Sequence, residues 1–224
     1  SRGCPDRGRE AYVQVLKACA GAAQQEEAEE ALLEAQQAGV PAKDLVNPML
    51  MVYRKCQLPD LAEALVERTI VEHGPGAVDA QTATTLIHTL GVNHRGASAA
   101  AWLARLPAMS IAPTLEMFTA VATPSAYAGD AGRVAELRGE LEELGLQPDE
   151  AWAAQAVVAE TRCKKASEET IQARLQELAA HTSTCSPRAW AALVAHIDEA
   201  WATEVCRVAG LAPAPPPPRR PRAP

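Results

Sequence analysis

Five histidines and six cysteines are the side chains of this 224-residue chain best suited to hold a metal or act as nucleophiles. Their spacing argues against both. Cys4, Cys19, Cys56, Cys163, Cys185 and Cys206 form no C-x-x-C pair, and no histidine falls at zinc-finger distance from them. They are expected to be reduced thiols, with Cys19 and Cys56 acting as small apolar fillers of helices. His73, His88, His94, His181 and His196 are scattered, and His88 and His94 are too far apart for an i, i+4 ligand pair. No phosphate-binding glycine loop, H-E-x-x-H or G-x-S-x-G motif is present. The expectation is a chain without catalytic residues, cofactor, metal or small-molecule substrate.

The elements behind these residues repeat. From Glu10 to Lys43, Tyr12, Val15, Leu16 and Cys19 recur at helical spacing. Ala20, Gly21 and Ala22 then read as a tight turn. Ala28, Ala31, Leu32 and Ala35 line one face of a second helix whose Glu26, Glu27, Glu29 and Glu30 face water. Gly39 stops it by adopting a positive φ, and Pro41 prevents restart. The same grammar returns three times: Val46 to Tyr53 with Ala62 to Thr69, Ala83 to Leu90 with Ala99 to Leu106, and Phe118 to Ala122 with Val134 to Leu141. Ala28, Ala62, Ala99 and Val134 stand about 34, 37 and 35 residues apart, the spacing of two-helix repeats. A small residue there lets neighbouring helices approach, and each pair hides its apolar face only against the next.

A fifth pair is weaker, around Trp152, Val157 and Val158, then Ile171, Leu175 and Leu178. Ser186 and Pro187 start a helix, and Trp190, Leu193, Val194, Ile197, Trp201 and Val205 keep a 3.6-residue period. That stripe predicts one long terminal helix, either a cap on the last repeat or a partner-docking face. The resulting organisation is an N-terminal extension (1–9), a repeat array of about five pairs (10–184), a capping helix (185–210) and a Pro/Arg-rich tail (211–224). The fold class is all-α, an α-solenoid of tandem two-helix repeats. Beginning at Ser1, the chain is expected to be a processed or trimmed form with any targeting segment upstream.

Two segments, LVNPMLMVYRKCQLPDLAEAL (Leu45–Leu65) and GDAGRVAELRGELEELGLQPD (Gly129–Asp149), resemble the pentatricopeptide-repeat (PPR) family. The Trp-Leu-Gly…Tyr signature of tetratricopeptide repeats is missing, while the ending Gly145 to Asp149 matches PPR repeats. The resemblance covers Glu10 to Asp149 well and reaches about Thr184 loosely. It implies a right-handed solenoid with first helices on the concave face, an organellar location in mitochondrion or plastid, and single-stranded RNA read one base per repeat. Two residues per repeat would choose the base: Val13 with Lys43, Asn47 with Asp79, Thr84 with Thr114, and Thr119 with Asp149. By resemblance Asn47 with Asp79 suits U, and Thr119 with Asp149 suits G; the other two pairs are unfamiliar.

The second position of each first helix departs from the family. Where an aliphatic residue usually sandwiches the base, this chain has Glu10, Asp44, Gln81 and Glu116. Carboxylates there repel phosphate, and the whole chain carries a formal charge of −7. Asn, Thr and Asp also occur at helix starts simply as caps. The expected function is therefore a non-catalytic scaffold or accessory subunit of an organellar assembly, such as a ribosome or bioenergetic complex, with protein partners. The alternative is an RNA-binding factor in organellar RNA processing or translation.

The tail from Ala212 cannot form a helix and favours extended polyproline II, as a linker does. If it is held instead, Arg219, Arg220 and Arg222 would meet an acidic protein groove, anionic lipid or structured RNA. Deleting Ala212–Pro224 is expected to weaken association with the native partner in a pull-down, and unchanged association would remove the tail from the interface.

Overall fold

The computed structural model describes residues 5–196 and 198–213. Cys4, Ile197 and the tail arginines Arg219, Arg220 and Arg222 lie outside the described residues. The rest folds into consecutive helix pairs: α1 (Pro5–Ala22) with α2 (Gln25–Gln37), α3 (Ala42–Lys55) with α4 (Pro59–His73), and α5 (Ala80–Val92) with α6 (Gly96–Arg105). There follow α7 (Leu115–Ala128) with α8 (Ala131–Glu143), α9 (Glu150–Arg162) with α10 (Glu168–Ala179), and α11 (Pro187–His196) with α12 (Glu199–Val208). No strand occurs among the described residues, only a single bridge between Thr184 and Ala212. The contacts divide into two compact units, between Val121 and Ala122.

One register runs through every second helix. Its fourth residue is Ala28, Ala62, Ala99, Val134, Ile171 or Ala202, and all six are buried. The four expected from the sequence thus extend to six. Alanine at this point removes side-chain bulk where helices meet, while Leu32, Leu65, Leu103, Leu137 and Leu175, three or four residues on, fill the gap beside it.

Local chemistry sets the boundaries. Asp79, Asp130, Asp149 and Ser167 each accept a hydrogen bond from the amide three residues on, and so start α5, α8, α9 and α10. The first turn falls later than the sequence suggested. Ala20, Gly21 and Ala22 remain helical, and the chain reverses at Ala23, with φ of 55°. Ala23, Gln57, His94 and Gly129 hold positive φ at the same place, two residues before α2, α4, α6 and α8. Gly129 pays no steric penalty there and is doubly constrained: a Cβ would lie 2.5 Å from the Arg162 carbonyl oxygen.

In the first unit, α5 and the first half of α7 approach closely at one carbonyl. Pro124 lies inside α7 and has no N–H to give Ala120 O, four residues earlier. That carbonyl instead abuts Gly91 of α5, so closely that a Cβ on Gly91 would sit 2.2 Å from it. Between α4 and α6, Trp102 Nε1 donates to Glu63 Oε1 at 2.9 Å, Arg105 pairs with Glu67, and Arg95 pairs with Asp60. The Arg105 guanidinium also covers the Trp102 ring at 4.1 Å. Tyr53 of α3 donates to Glu29 of α2 at 3.2 Å; burial first, then this carboxylate, push its phenol up to about 12.

In the second unit, Arg138 of α8 and Arg174 of α10 share Glu177. The end of the chain corrects the sequence reading: α11 and α12 form a hairpin, not one long helix. Asp198 accepts from the Ala200 and Trp201 amides at 2.8 and 3.3 Å, and this cap starts a new helix although the apolar period runs on. Ala212 closes the hairpin, donating to Ser183 O and accepting from Cys185 N, each at 2.8 Å. Ala212 thus belongs to the folded part, and a deletion meant to test the tail alone must begin after Pro213. Leu193, Ala202, Val205, Cys185 and Cys206 pack with Ile171 and Leu175, so the stripe covers the fifth pair. The five described cysteines are free thiols.

Two glycine substitutions should have opposite effects. Gly91→Ala must push α5 from α7 and is expected to cost about 1–3 kcal/mol. Gly21→Ala, on an exposed helical site with nothing within 4 Å, should stabilise by up to about 1 kcal/mol. Urea unfolding of both variants measures this; equal effects would dissolve the proposed close contact.

Candidate functional site

Of the four residues expected to read bases, Asp79 and Asp149 immediately precede α5 and α9, Asn47 and Thr119 are the sixth residue of α3 and the fifth of α7, and each has a partner within the fold. Asn47, half-buried on α3, accepts on Oδ1 from the Thr85 hydroxyl of α5 at 2.9 Å. Thr85 has a single proton and lies equally close to Gln81 O, so the two acceptors share it. Asp79 and Asp149 are exposed, and their carboxylates accept from the Thr82 and Trp152 amides at 2.7 and 2.9 Å. Thr119 donates to Leu115 O at 2.8 Å, within its own helix. The structure therefore joins Asn47 to the next repeat's first helix and makes both aspartates helix caps.

The expected second positions are not alike, and α1 starts at Pro5, inside the expected 1–9 extension, so that Glu10 is its sixth residue. Glu10, Gln81 and Glu116 are exposed, and Glu10 accepts from Gln14 at 2.8 Å. Asp44 is largely covered, its side chain 18% exposed, and it pairs with Arg9 of α1 at 3.5 Å without a formal hydrogen bond. Its charge is thus partly offset by a neighbouring repeat, a pairing with no signal in the linear sequence.

Cavities open beside first helices among the described residues. One, about 410 Å³, is lined by Arg9, Tyr12, Gly39, Val40 and Pro41. The other, about 430 Å³, lies in the second unit between α9 and the start of α11. Ala151, Ala154 and Val158 give it an apolar wall, and Asp149, Glu150, Gln155, Ser186 and Arg188 supply polar groups. Gln155 is only 7% exposed, and its Oε1 has no hydrogen-bond partner. Sequence reading passed over this residue, although a lone amide within the run Ala153 to Val158 was a visible signal. Among the described residues no group of three or more His, Cys, Asp or Glu could hold a metal ion. No described helix is long and apolar enough to cross a membrane.

No protein-family profile and no curated protein matches the chain. Solved structures do. The PPR domain of Arabidopsis thaliana protein-only RNase P 1, solved in complex with tRNA, superposes with a TM-score of 0.65 at 18% identity, over 84% of this chain and 97% of that one. The pentatricopeptide repeat protein PPR10, in complex with an 18-nucleotide psaJ RNA element, gives 0.60 at 20% identity over 92% of this chain. The chain spans 34% of the length of PPR10. The fold is an all-α, PPR-like helical-repeat solenoid. At this identity the likeness concerns architecture, so the alternating pairs and their 34- to 37-residue register are PPR-like whatever the surface does.

Capping and base reading make different demands on Asp149. Asp149→Ala should destabilise by about 1 kcal/mol and Asp149→Asn by much less, because asparagine caps as well as aspartate. Thermal melts of the two variants decide; equal stability of the alanine variant would mean that the cap contributes nothing and the side chain is held for another purpose.

Proposed function

We propose that this chain is a non-catalytic PPR-like scaffold that binds protein partners as an accessory subunit of an organellar assembly, a ribosome or bioenergetic complex among the candidates. The observation that carries this reading is the engagement of Asn47. Its Oδ1 accepts from Thr85 inside the array, which commits one of its polar atoms to the neighbouring repeat. The acidic first-helix positions Glu10 and Glu116 and the formal charge of −7 support it, since attraction to phosphate supplies most non-specific RNA affinity. Helical-repeat surfaces present long contact faces to proteins without needing a catalytic centre.

A second reading, a single-stranded RNA-binding factor, is favoured by one observation: both structural neighbours were solved with RNA bound. The two readings differ in their dependence on salt. Fluorescence anisotropy with random single-stranded RNA at about 50 mM salt is expected to show no binding at micromolar protein. Micromolar or tighter binding, weakening as salt is raised, would establish the RNA reading instead.

A further inference from the structure

The cavity between α9 and α11 is a built site whose chemistry points to a particular ligand. Its most buried polar lining residue is Gln155, 7% exposed, whose Oε1 has no hydrogen-bond partner. A buried, unsatisfied carbonyl oxygen is costly, and a donor arriving from outside relieves that cost. On the α9 side the adjacent carboxylates of Asp149 and Glu150 add negative charge; Asp149 accepts from the Trp152 amide and keeps lone pairs free for a second donor. The Ser186 hydroxyl oxygen, receiving the Ala189 amide at 3.3 Å, contributes a further polar edge. Between them Ala154 and Val158 offer an apolar wall for a hydrocarbon stem.

We infer that this cavity receives a single arginine side chain of a partner protein. A guanidinium carries five N–H donors in a plane, enough to meet Gln155 and a carboxylate together, and its three-carbon stem suits the Val158 wall. Arg188 on the α11 side sets the limit. It offsets one of the two carboxylates and leaves one negative charge to be balanced, so the pocket fits an isolated arginine rather than a basic cluster such as Arg219, Arg220 and Arg222 of the chain's own tail. This assignment rests on the scaffold reading above and gives it a specific point of contact.

The test uses the full chain, isotopically labelled, titrated by NMR with the peptide acetyl-Ala-Ala-Arg-Ala-Ala-amide and with its citrulline counterpart, which has the same shape without charge. The arginine peptide should produce saturable shifts at Val158 and Ser186, and citrulline should bind roughly tenfold more weakly, the loss expected for a charge-assisted contact. Gln155→Leu should weaken the arginine peptide by a similar factor while leaving the melting temperature unchanged or higher, because it removes an unsatisfied amide. Asp149→Asn, which keeps the cap, should weaken it several-fold. Equal binding of citrulline, or undiminished binding by Gln155→Leu, overturns the proposal. So does a full chain carrying Arg219→Gln, Arg220→Gln and Arg222→Gln that binds the peptide more tightly, since the tail would then be the occupant. If the peptide fails while single-stranded RNA also fails to bind, the pocket assignment falls and the scaffold reading stands; RNA shifting the same residues removes both.

Discussion

A helix pair folded from this sequence has an apolar face that it cannot cover itself, and only the next pair can cover it. The rest of the structure answers to that constraint. It explains why one position in six successive second helices is buried, and why four of the six residues there are alanine. It explains the approach of Gly91 to the Ala120 carbonyl, where a methyl group would already collide. It also explains the α11–α12 hairpin, whose apolar stripe packs on the fifth pair.

Aromatic residues make up only 4% of the chain, so little of this packing depends on bulk. Close approach does the work instead, and polar side chains hold it in register. The Asp60–Arg95, Glu63–Trp102 and Glu67–Arg105 pairs join α4 to α6, and Arg138 reaches Glu177 from α8 to α10. Exposed ion pairs of this sort contribute little stability individually. Their value lies in fixing which turn of one helix faces which turn of the next.

The same economy blurs the functional surface. Residues at the starts of first helices must cap amides and pack against neighbours before they do anything else. Asp79 and Asp149 cap, Thr119 bonds to its own helix, and Asn47 bonds to Thr85. A residue type that suits a base edge is therefore equally at home in a purely structural role. Gln155 is different, because the fold gives its buried oxygen no partner.

The sequence alone determined the helix pairs, their register and the Gly39 stop, because amphipathic period, small residues and turn formers act over a few residues and leave a local imprint. The resemblance to PPR repeats implied in addition a two-residue frame carrying Asn47, Asp79, Thr119 and Asp149. Tertiary structure decided what these side chains meet. The Arg9–Asp44 pair, the Thr85–Asn47 bond and the α9–α11 cavity each join residues more than thirty positions apart, and periodicity carries no information about such encounters. The terminal hairpin fell between the two. An unbroken 3.6-residue stripe concealed the break at Asp198, since two helices packing on one surface keep the same face apolar.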